Sequence, residues 1–435
     1  MNISPWIFSL TDKFASESFS SNIETDVAVV GGGISGALSA YYILKNTSKD
    51  VCLIDAGDFG FAATGHNAGY MVAAFDSTIQ DTIKIFGEEL TRKGYLEIFS
   101  GWKLFRELKE VIDISGYFDE VFGMTGYVDI DSLNFALLEH DVQMRLGLDQ
   151  DLSFFVTSDH LQQIPVEFHK YLFLVTEEEI KKEFDVINKI HIGYSLLSPV
   201  AVMNSCQFVQ DLLKYLHVNF QSRIKFFSHS PVISIDDSSA CELEINNFKL
   251  KSEFVVLCTN AFRLPKIKGE IPEFERIVNY QTGYKVEKDI IPKTYFYIRH
   301  QRDLQLEYDY VYGSRRRFMG KYLDVFGSTI DKLLEPKERY SYEDEIDPKI
   351  EKEVIEESKK YIFEVNLSEP EFAWQGAMAY TKNSMRIVGA RKEHPKIIFN
   401  IGCNGIGIIP AFFSGDKVAR LINGEKFERS LFDAE

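Results

Sequence analysis

The chain of 435 residues is long enough for two domains, and its 45% hydrophobic and 26% charged residues are typical of a globular protein. A net charge of -17 would repel nucleic-acid phosphates and anionic lipid headgroups, so neither is an expected partner. Five scattered cysteines without a C-x-x-C pair predict no disulfide framework and no metal site. The first twenty residues lack a secretory pattern, and we therefore expect a cytoplasmic protein.

The first predicted unit is a βαβ segment between residues 26 and 55. Asp26–Val30 and Val51–Asp55 have the apolar, β-branched pattern of buried parallel strands. Between them, apolar residues recur at helical spacing: Ile34, Leu38, Tyr41 and Leu44. The uncharged run from Val27 to Leu44 is also long enough to span a membrane, but its four glycines favour a strand, a tight turn and a helix.

Later segments predict further helices and strands, with helix caps and glycine turns marking their ends. In chain order we expect an amphipathic helix over Glu88–Ile112, a helix capped by Asn204 or Ser205, short strands over residues 224–258, a strand at Tyr280–Tyr284, a charged helix from Asp347 and Pro348, a strand at Ile397–Ile401 and a last helix closed by Gly424.

The turn after the first strand, Gly31-Gly-Gly33-Ile-Ser-Gly36, satisfies G-x-G-x-x-G. Such glycines allow a tight turn and bring the backbone and a helix N-terminus close to a pyrophosphate. Asp55 ends the second strand, where a carboxylate can accept hydrogen bonds from an adenosine ribose. The pattern indicates a dinucleotide site rather than an ordinary glycine turn, but by itself it does not separate NAD from FAD.

Nucleotide-type patterns lie at both ends of the chain and in its middle, which predicts discontinuous domains. We expect residues 1–85, 190–265 and 370–435 to form a dinucleotide-binding domain. Residues 86–189 and 266–369 are expected to form a substrate-binding domain.

Five segments, in order along nearly the whole chain, resemble those of the D-amino-acid-oxidase-like superfamily of FAD-dependent oxidoreductases. The branch they resemble contains γ-glutamylputrescine oxidase and the glycine and sarcosine oxidases. The segments are Ser4-Pro-Trp6, Ala63-Thr-Gly-His-Asn-Ala-Gly69, Val255-Val-Leu-Cys-Thr-Asn-Ala261, Thr381-Lys-Asn-Ser-Met-Arg-Ile-Val-Gly389 and Gly402-Cys-Asn-Gly-Ile-Gly407.

The resemblance implies an α/β fold, α+β overall, with a Rossmann-like FAD-binding domain and a substrate domain on a mixed, largely antiparallel sheet. Gly402 to Ile408 would wrap the pyrimidine end of the flavin. The implied cofactor-binding residues are Gly31, Gly33, Ile34, Ser35, Gly36, Asp55, Ala56, Ala63, Thr64, His66, Asn67, Ala68, Val232, Cys258, Thr259, Asn260, Gly402, Asn404, Gly405, Ile406, Gly407 and Ile408.

His66 stands where this branch usually has arginine. In a sister group, the dimethylglycine and sarcosine dehydrogenases, a similar turn carries a histidine bonded covalently to the flavin. His66 is thus either a neutral histidine packed near the flavin or its covalent attachment site. Met378 occupies the position of the cysteine that tethers flavin in monomeric sarcosine oxidases, so that linkage is not expected.

The basic residues that hold a substrate carboxylate in those relatives are missing. No basic residue lies between Asn67 and Ile83, and Ile409 takes the place of the lysine after the last glycine turn, where Ile406 also replaces a histidine. A buried carboxylate without a cation is costly, which favours an amine over an amino acid. Other candidate anchors are Arg386 and the triplet Arg315–Arg317, for which a surface hairpin is the alternative.

We expect oxidation of a C–N bond: hydride transfer from the carbon beside an unprotonated amine to flavin N5, then hydrolysis of the imine. The substrate would be a small amine or amino acid, and the electron acceptor oxygen or another carrier. The alternatives are a flavin-bearing scaffold without turnover and an NAD-linked dehydrogenase. Catalytic candidates, each with core packing as its alternative, are Tyr284, Lys285, Trp374 and Tyr380, with Tyr70 and Lys288 as further candidates.

Overall fold

The computed structural model describes residues 2–183, 191–286, 292–299, 309–335, 338–359 and 369–434. Its helices are α1 (Pro5–Phe8), α2 (Ile34–Asn46), α3 (Ile79–Phe86), α4 (Glu88–Lys109), α5 (Ile130–Arg145), α6 (Glu177–Glu183), α7 (Ser205–Asn219), α8 (Pro348–Lys359) and α9 (Ile408–Ile422). Short 3-10 turns occur at Ala63–Gly65, Ser158–Gln163 and Val166–Tyr171.

The first sheet combines a parallel centre with an antiparallel extension. Its strands are β1 (Ile23–Val30), β2 (Val51–Ile54), β8 (Ile224–Phe227), β9 (Val232–Asp236), β10 (Cys241–Ile245), β11 (Phe248–Leu257), β12 (Lys266–Ile267), β18 (Ile387–Arg391) and β19 (His394–Ile401). They pair in the order β12-β9-β10-β11-β1-β2-β8, and β19 pairs with β11 and β18. Because β1 is parallel to both β2 and β11, the predicted βαβ unit is confirmed.

Helix α2 is buried along most of its length against α7, α9 and the first sheet. A Cβ atom at Gly36 would collide with the carbonyl oxygen of Gly31, so the helix packs directly on the fingerprint turn. The uncharged run that begins at Val27 is therefore a strand, a turn and a helix. No helix in the described part of the chain is both long enough and apolar enough to cross a membrane.

The second sheet is mixed and largely antiparallel, as the resemblance implies. Its strands are β3 (Tyr70–Met71), β4 (Phe118–Tyr127), β5 (Asp151–Thr157), β6 (Leu172–Val175), β7 (Gly193–Met203), β13 (Phe274–Val286), β14 (Lys293–Arg299), β15 (Asp309–Phe318), β16 (Lys321–Leu334) and β17 (Phe372–Thr381). They pair in the order β17-β13-β16-β15-β14-β4-β7-β5-β6, with β3 beside β7. The parallel neighbours are β14 with β4 and β5 with β6.

The sheets divide the chain at places that differ from the predicted ranges. Strands β3, β7 and β17 lie in the second sheet, although their residues fall within ranges assigned to the dinucleotide domain. Helix α4, assigned to the substrate domain, packs on α9 in the core beneath the first sheet. The chain therefore passes between the two sheets more often than the predicted ranges assume. The domain bounds themselves stay a prediction.

The arginine triplet of β15 is not the surface feature that its charge suggests. Arg315 and Arg316 are each only 3% exposed, and Arg317 alone faces solvent. Arg315 donates two hydrogen bonds, of 2.8 and 2.9 Å, to the carboxylate of Asp324 on β16. The surface-hairpin interpretation is wrong for the first two residues, because cross-strand pairing places a carboxylate opposite Arg315 that linear sequence does not reveal.

Arg316 joins the second sheet to the N-terminal helix and to the turn at residues 63–69. Its guanidinium lies 4.6 Å from the centre of the Trp6 ring and donates a 2.6 Å hydrogen bond to the carbonyl oxygen of Ala68. Trp6 in turn donates from Nε1 to the carbonyl oxygen of Asn67 at 2.5 Å. The Ser4-Pro-Trp6 segment therefore serves to fix that turn in place.

We predict that Asp324→Ala lowers the free energy of unfolding by about 3–5 kcal/mol, because it leaves the buried Arg315 guanidinium without a counter-charge. Chemical denaturation of the purified protein measures this loss. In the matched control, Glu356→Ala breaks the exposed pair with Lys352 and should cost less than about 0.5 kcal/mol. Equal losses in the two variants would contradict the prediction.

Candidate functional site

A cavity of about 1140 Å³ is lined by residues from both sheets. The first sheet contributes the turns at the ends of β1, β2, β11 and β19, together with the start of β9. The second sheet contributes side chains of β13, β15, β16 and β17. α/β folds bind their ligands in large clefts of this kind, which are lined by loops at the ends of parallel strands.

The two glycine turns meet at one end of this cavity. Helix α2 begins directly after Gly33 and helix α9 directly after Gly407, and both glycines line the cavity. The free N–H groups of the two helix N-termini give this end of the cavity a positive potential. The arrangement suits a bound anion.

Arg386 forms hydrogen bonds with both glycine turns. Its Nη1 donates to Ser35 Oγ of the first turn at 3.0 Å and to Asn400 Oδ1 at 3.0 Å, and its Nη2 donates to the carbonyl oxygen of Gly407 at 3.4 Å. The side chain is buried, and no Asp or Glu of the described residues pairs with it. A buried guanidinium held only by neutral acceptors adds to the positive potential at the turns.

Asp55 lies at the end of β2 beside the first turn. Its Oδ2 accepts from the backbone N–H of Gly32 at 2.6 Å, and its Oδ1 accepts from that of Gly57 at 2.8 Å. Burial raises the pKa of this carboxyl to about 6 despite the two hydrogen bonds. Both oxygens also keep further lone pairs for hydroxyl donors in the cavity.

His66 lies in the turn at residues 63–69 with a fixed tautomer. Its Nδ1 is 2.9 Å from the carbonyl oxygen of Phe61 and 3.1 Å from that of Ala62, so Nδ1 carries the proton and Nε2 keeps a lone pair. Burial lowers the pKa of the imidazole, which keeps it neutral. The ring lies 5.2 Å from that of Tyr342, centre to centre, on the cavity wall.

The second sheet contributes what we call the polar wall: Asn279, Gln281, Tyr312 and Asp331. Asp76 lines the same cavity from the loop before α3. A Cβ atom placed on Gly405 would lie 2.8 Å from the Tyr380 hydroxyl and 3.6 Å from Asp76 Oδ1, so both side chains sit beside the last glycine turn. None of the polar-wall residues was predicted, although the alternation of Asn279 and Gln281 within apolar β13 is a detectable pattern.

Most of the predicted cofactor residues line the cavity, and three do not: Gly36, Gly402 and Asn404. Gly36 packs beneath the first turn. Asn404 Oδ1 accepts from the backbone N–H of Thr381 at 2.8 Å, and its Nδ2 donates to the carbonyl oxygen of Gly402 at 2.9 Å. These residues shape the turns rather than border the space between them.

Of the predicted catalytic residues, Tyr380 lines the cavity, whereas Tyr284, Lys285 and Trp374 do not. Tyr284 is buried with its hydroxyl 2.7 Å from Ser358 Oγ, and Trp374 is buried edge-on against the Trp6 ring. Lys285 is exposed beside Phe372. The core-packing alternative thus describes Tyr284 and Trp374. Tyr70 and Met378 line the cavity, and Lys288 lies outside the described residues.

Within the described residues, no three or more His, Cys, Asp or Glu side chains are grouped so that they could hold a metal ion.

Arg386 was also a candidate anchor for a substrate carboxylate, but its side chain already has other partners. Its guanidinium is engaged by the glycine turns and their supporting residues.

Comparison with known proteins agrees with this architecture. Residues 26–421 match the family model described as FAD dependent oxidoreductase. The chain is 23% identical over 420 residues to the probable oxidoreductase OrdL of Haemophilus influenzae, covering 94% of this chain and 85% of that protein. It is 33% identical over 91 residues to gamma-glutamylputrescine oxidoreductase of Escherichia coli, covering 21% of each chain.

The fold is also similar to that of glycine oxidase from Geobacillus kaustophilus. The TM-score is 0.70 with 16% sequence identity, and the superposition covers 95% of this chain and 98% of that one. At this identity the similarity concerns the fold alone. The family match extends over most of the chain, from the first strand to the last helix. The chain therefore belongs to the family of FAD-dependent oxidoreductases.

Proposed function

We propose that this FAD-dependent oxidoreductase oxidises a carbon–nitrogen bond of a small amine. The observation that carries the proposal is one cavity in which both glycine turns adjoin the polar wall, while the buried arginines of the cavity, Arg276 and Arg386, already donate to protein oxygens. The named relatives include an oxidoreductase of gamma-glutamylputrescine and an oxidase of glycine, and these names suggest amines and amino acids as substrate classes. Family membership removes the NAD-linked alternative and favours an enzyme over a scaffold.

The residues present fit an FAD molecule. Arg386 Nε and Thr259 Oγ1 are buried without a hydrogen-bond partner among the described residues, and both side chains line the cavity. Burial lowers the pKa of Arg386, and a nearby anion would offset the cost of that buried charge. A dinucleotide pyrophosphate at the N-terminus of α2 supplies such an anion.

The predicted cofactor contacts remain our assignment of roles within this cavity. Asp55 would accept from the adenosine ribose, and Val232 and Thr259 would border the adenosine half. Gly405 to Ile408, with the N-terminus of α9 behind them, would face the isoalloxazine, where a positive dipole favours the charge of the reduced flavin. His66 would pack against the flavin ring from the opposite wall.

When bound, FAD accepts the hydride that leaves the carbon beside the substrate nitrogen. An ammonium substrate first releases one proton to solvent, loss of the hydride from the neutral amine then gives a protonated imine, and water hydrolyses that imine to a carbonyl and an amine or ammonia. The protein's own contribution is to orient that carbon toward the last glycine turn and to exclude water. Tyr380 and Asp76, both beside Gly405, are the side chains placed to do so. The electrons then pass to oxygen or to another acceptor.

We predict that FAD affinity falls as the pH is lowered through about 6, because protonation of Asp55 removes an acceptor for the ribose hydroxyls. The sign follows from the raised pKa: the ionised form dominates above about 6 and is the form that binds. Fluorescence titration of the apoprotein with FAD measures the affinity. Asp55→Asn should bind more weakly at neutral pH and lose most of the pH dependence, whereas Asp26→Asn, at a partly buried residue of β1 that does not line the cavity, should behave as wild type. An unchanged pH profile in Asp55→Asn would contradict this role.

We predict that His66 packs against the flavin without a covalent bond. Acid precipitation of the purified holoprotein should therefore release the yellow chromophore into the supernatant. Chromophore retained in the pellet of the wild type but released from His66→Ala would instead identify Nε2, the ring nitrogen left with a lone pair, as the attachment atom.

We predict that a carboxylate-free amine bleaches the visible absorbance of the oxidised flavin under anaerobic conditions, and that glycine, sarcosine and other α-amino acids do so more slowly. The reason is that the buried arginines among the described cavity residues, Arg276 and Arg386, already donate to protein oxygens, so neither is left to hold a substrate carboxylate. An anaerobic panel of alkylamines, diamines and amino acids provides the measurement. If no compound with a C–N bond reduces the flavin, the proposed function is wrong.

A further inference from the structure

The hydrogen bonds of the polar wall run in one direction. Asp331 Oδ1 accepts from Asn279 Nδ2 at 2.7 Å. Because a carboxylate only accepts, the Asn279 amide must turn its nitrogen toward Asp331 and its oxygen away. That oxygen accepts from the Tyr312 hydroxyl at 2.7 Å and from Gln281 Nε2.

This direction leaves an acceptor at the end of the chain of hydrogen bonds. Because Gln281 Nε2 donates to Asn279, the remaining acceptor is Gln281 Oε1. This oxygen has no hydrogen-bond partner among the described residues. The Gln281 side chain is only 4% exposed and lines the cavity. A buried acceptor without a donor indicates that a ligand supplies the donor.

Two carboxylates border the same space. Asp76 lies beside the last glycine turn, and no donor or cation of the described residues pairs with its carboxylate. Burial, together with the nearby charge of Asp331, raises the pKa of Asp76 to about 6. Burial likewise raises the pKa of Asp331. Both residues are exposed and line the cavity, and no cation of the described residues is among the causes of either shift, so a cationic ligand there would supply the positive partner.

The arginines that line the cavity do not supply that charge. Arg276 donates to the carbonyl oxygens of Glu335 and Glu338 at 2.7 and 2.9 Å, and Arg386 is engaged by the glycine turns. Arg263 and Arg339 are exposed. None of the four contributes to the shifted pKa of Asp76 or Asp331.

We propose that Asp76, Asp331 and Gln281 bind the primary ammonium group of a cationic substrate that lacks a carboxylate beside its nitrogen. An ammonium group has three N–H donors, and these residues provide two carboxylates and one amide oxygen. An α-amino acid would bring its carboxylate into the field of both aspartates, so the same residues select against it. The proposal rests on the proposed function, whose site it specifies.

The test uses the FAD-loaded protein with n-butylamine and glycine as probes. Binding is read from the spectral change of the oxidised flavin, and turnover from anaerobic flavin reduction, so the two are measured separately. Asp331→Asn and Asp76→Asn should each weaken n-butylamine binding by about tenfold or more, since each removes a charge-assisted hydrogen bond. Gln281→Met, which keeps the side-chain shape, should weaken it by a smaller factor.

Asp119→Asn is the matched control, because it removes the same charge from a pair with the exposed Arg317 outside the cavity. It should leave n-butylamine binding unchanged, and retained FAD in all variants reports intact folding. Unchanged binding in both Asp331→Asn and Asp76→Asn, or tighter binding of glycine than of n-butylamine to the wild type, overturns the proposal. Binding that depends on the carboxylates without flavin reduction by any amine would support the ammonium site while refuting amine oxidation.

Discussion

The structure depends on the meeting of two glycine turns that are more than 350 residues apart in sequence, held together by a buried arginine. Arg386 bonds to Ser35 at the start of α2 and to Gly407 at the start of α9. Two helix N-termini and a guanidinium would repel one another in an empty low-dielectric cavity. An anionic dinucleotide removes that conflict, so the same arrangement that is unfavourable in isolation becomes a binding site.

The rest of the molecule positions other groups around these turns. Trp6 and Arg316 hold the turn that carries His66, and Arg316 reaches it from the second sheet. Strand β17 brings Tyr380 to the last turn, while β13, β15 and β16 carry the polar wall. The strands therefore bring the glycine turns and the polar wall to one cavity, as the proposed reaction would require for the placement of one carbon atom.

The βαβ unit with its glycine turn was predictable because its signals are local. The fingerprint, the buried strands around it and Asp55 lie within one βαβ unit, and each residue type is dictated by its immediate backbone. The polar wall was not predictable in this way. Asn279, Tyr312 and Asp331 come from three strands, and only the pairing of those strands brings them together. The same limit explains why the surface-hairpin interpretation was wrong for Arg315, whose partner on β16 is not apparent from the linear sequence.

The central claim is that both glycine turns contact a single bound flavin dinucleotide, with the reactive ring beside Gly405. A crystal structure of the holoprotein soaked with n-butylamine tests this most directly. We predict density for the pyrophosphate at the N-terminus of α2, for the isoalloxazine at residues 402–408, and for the amine between that ring and the polar wall. An isoalloxazine that lies away from the last glycine turn, or a dinucleotide that touches only the first turn, would contradict the account.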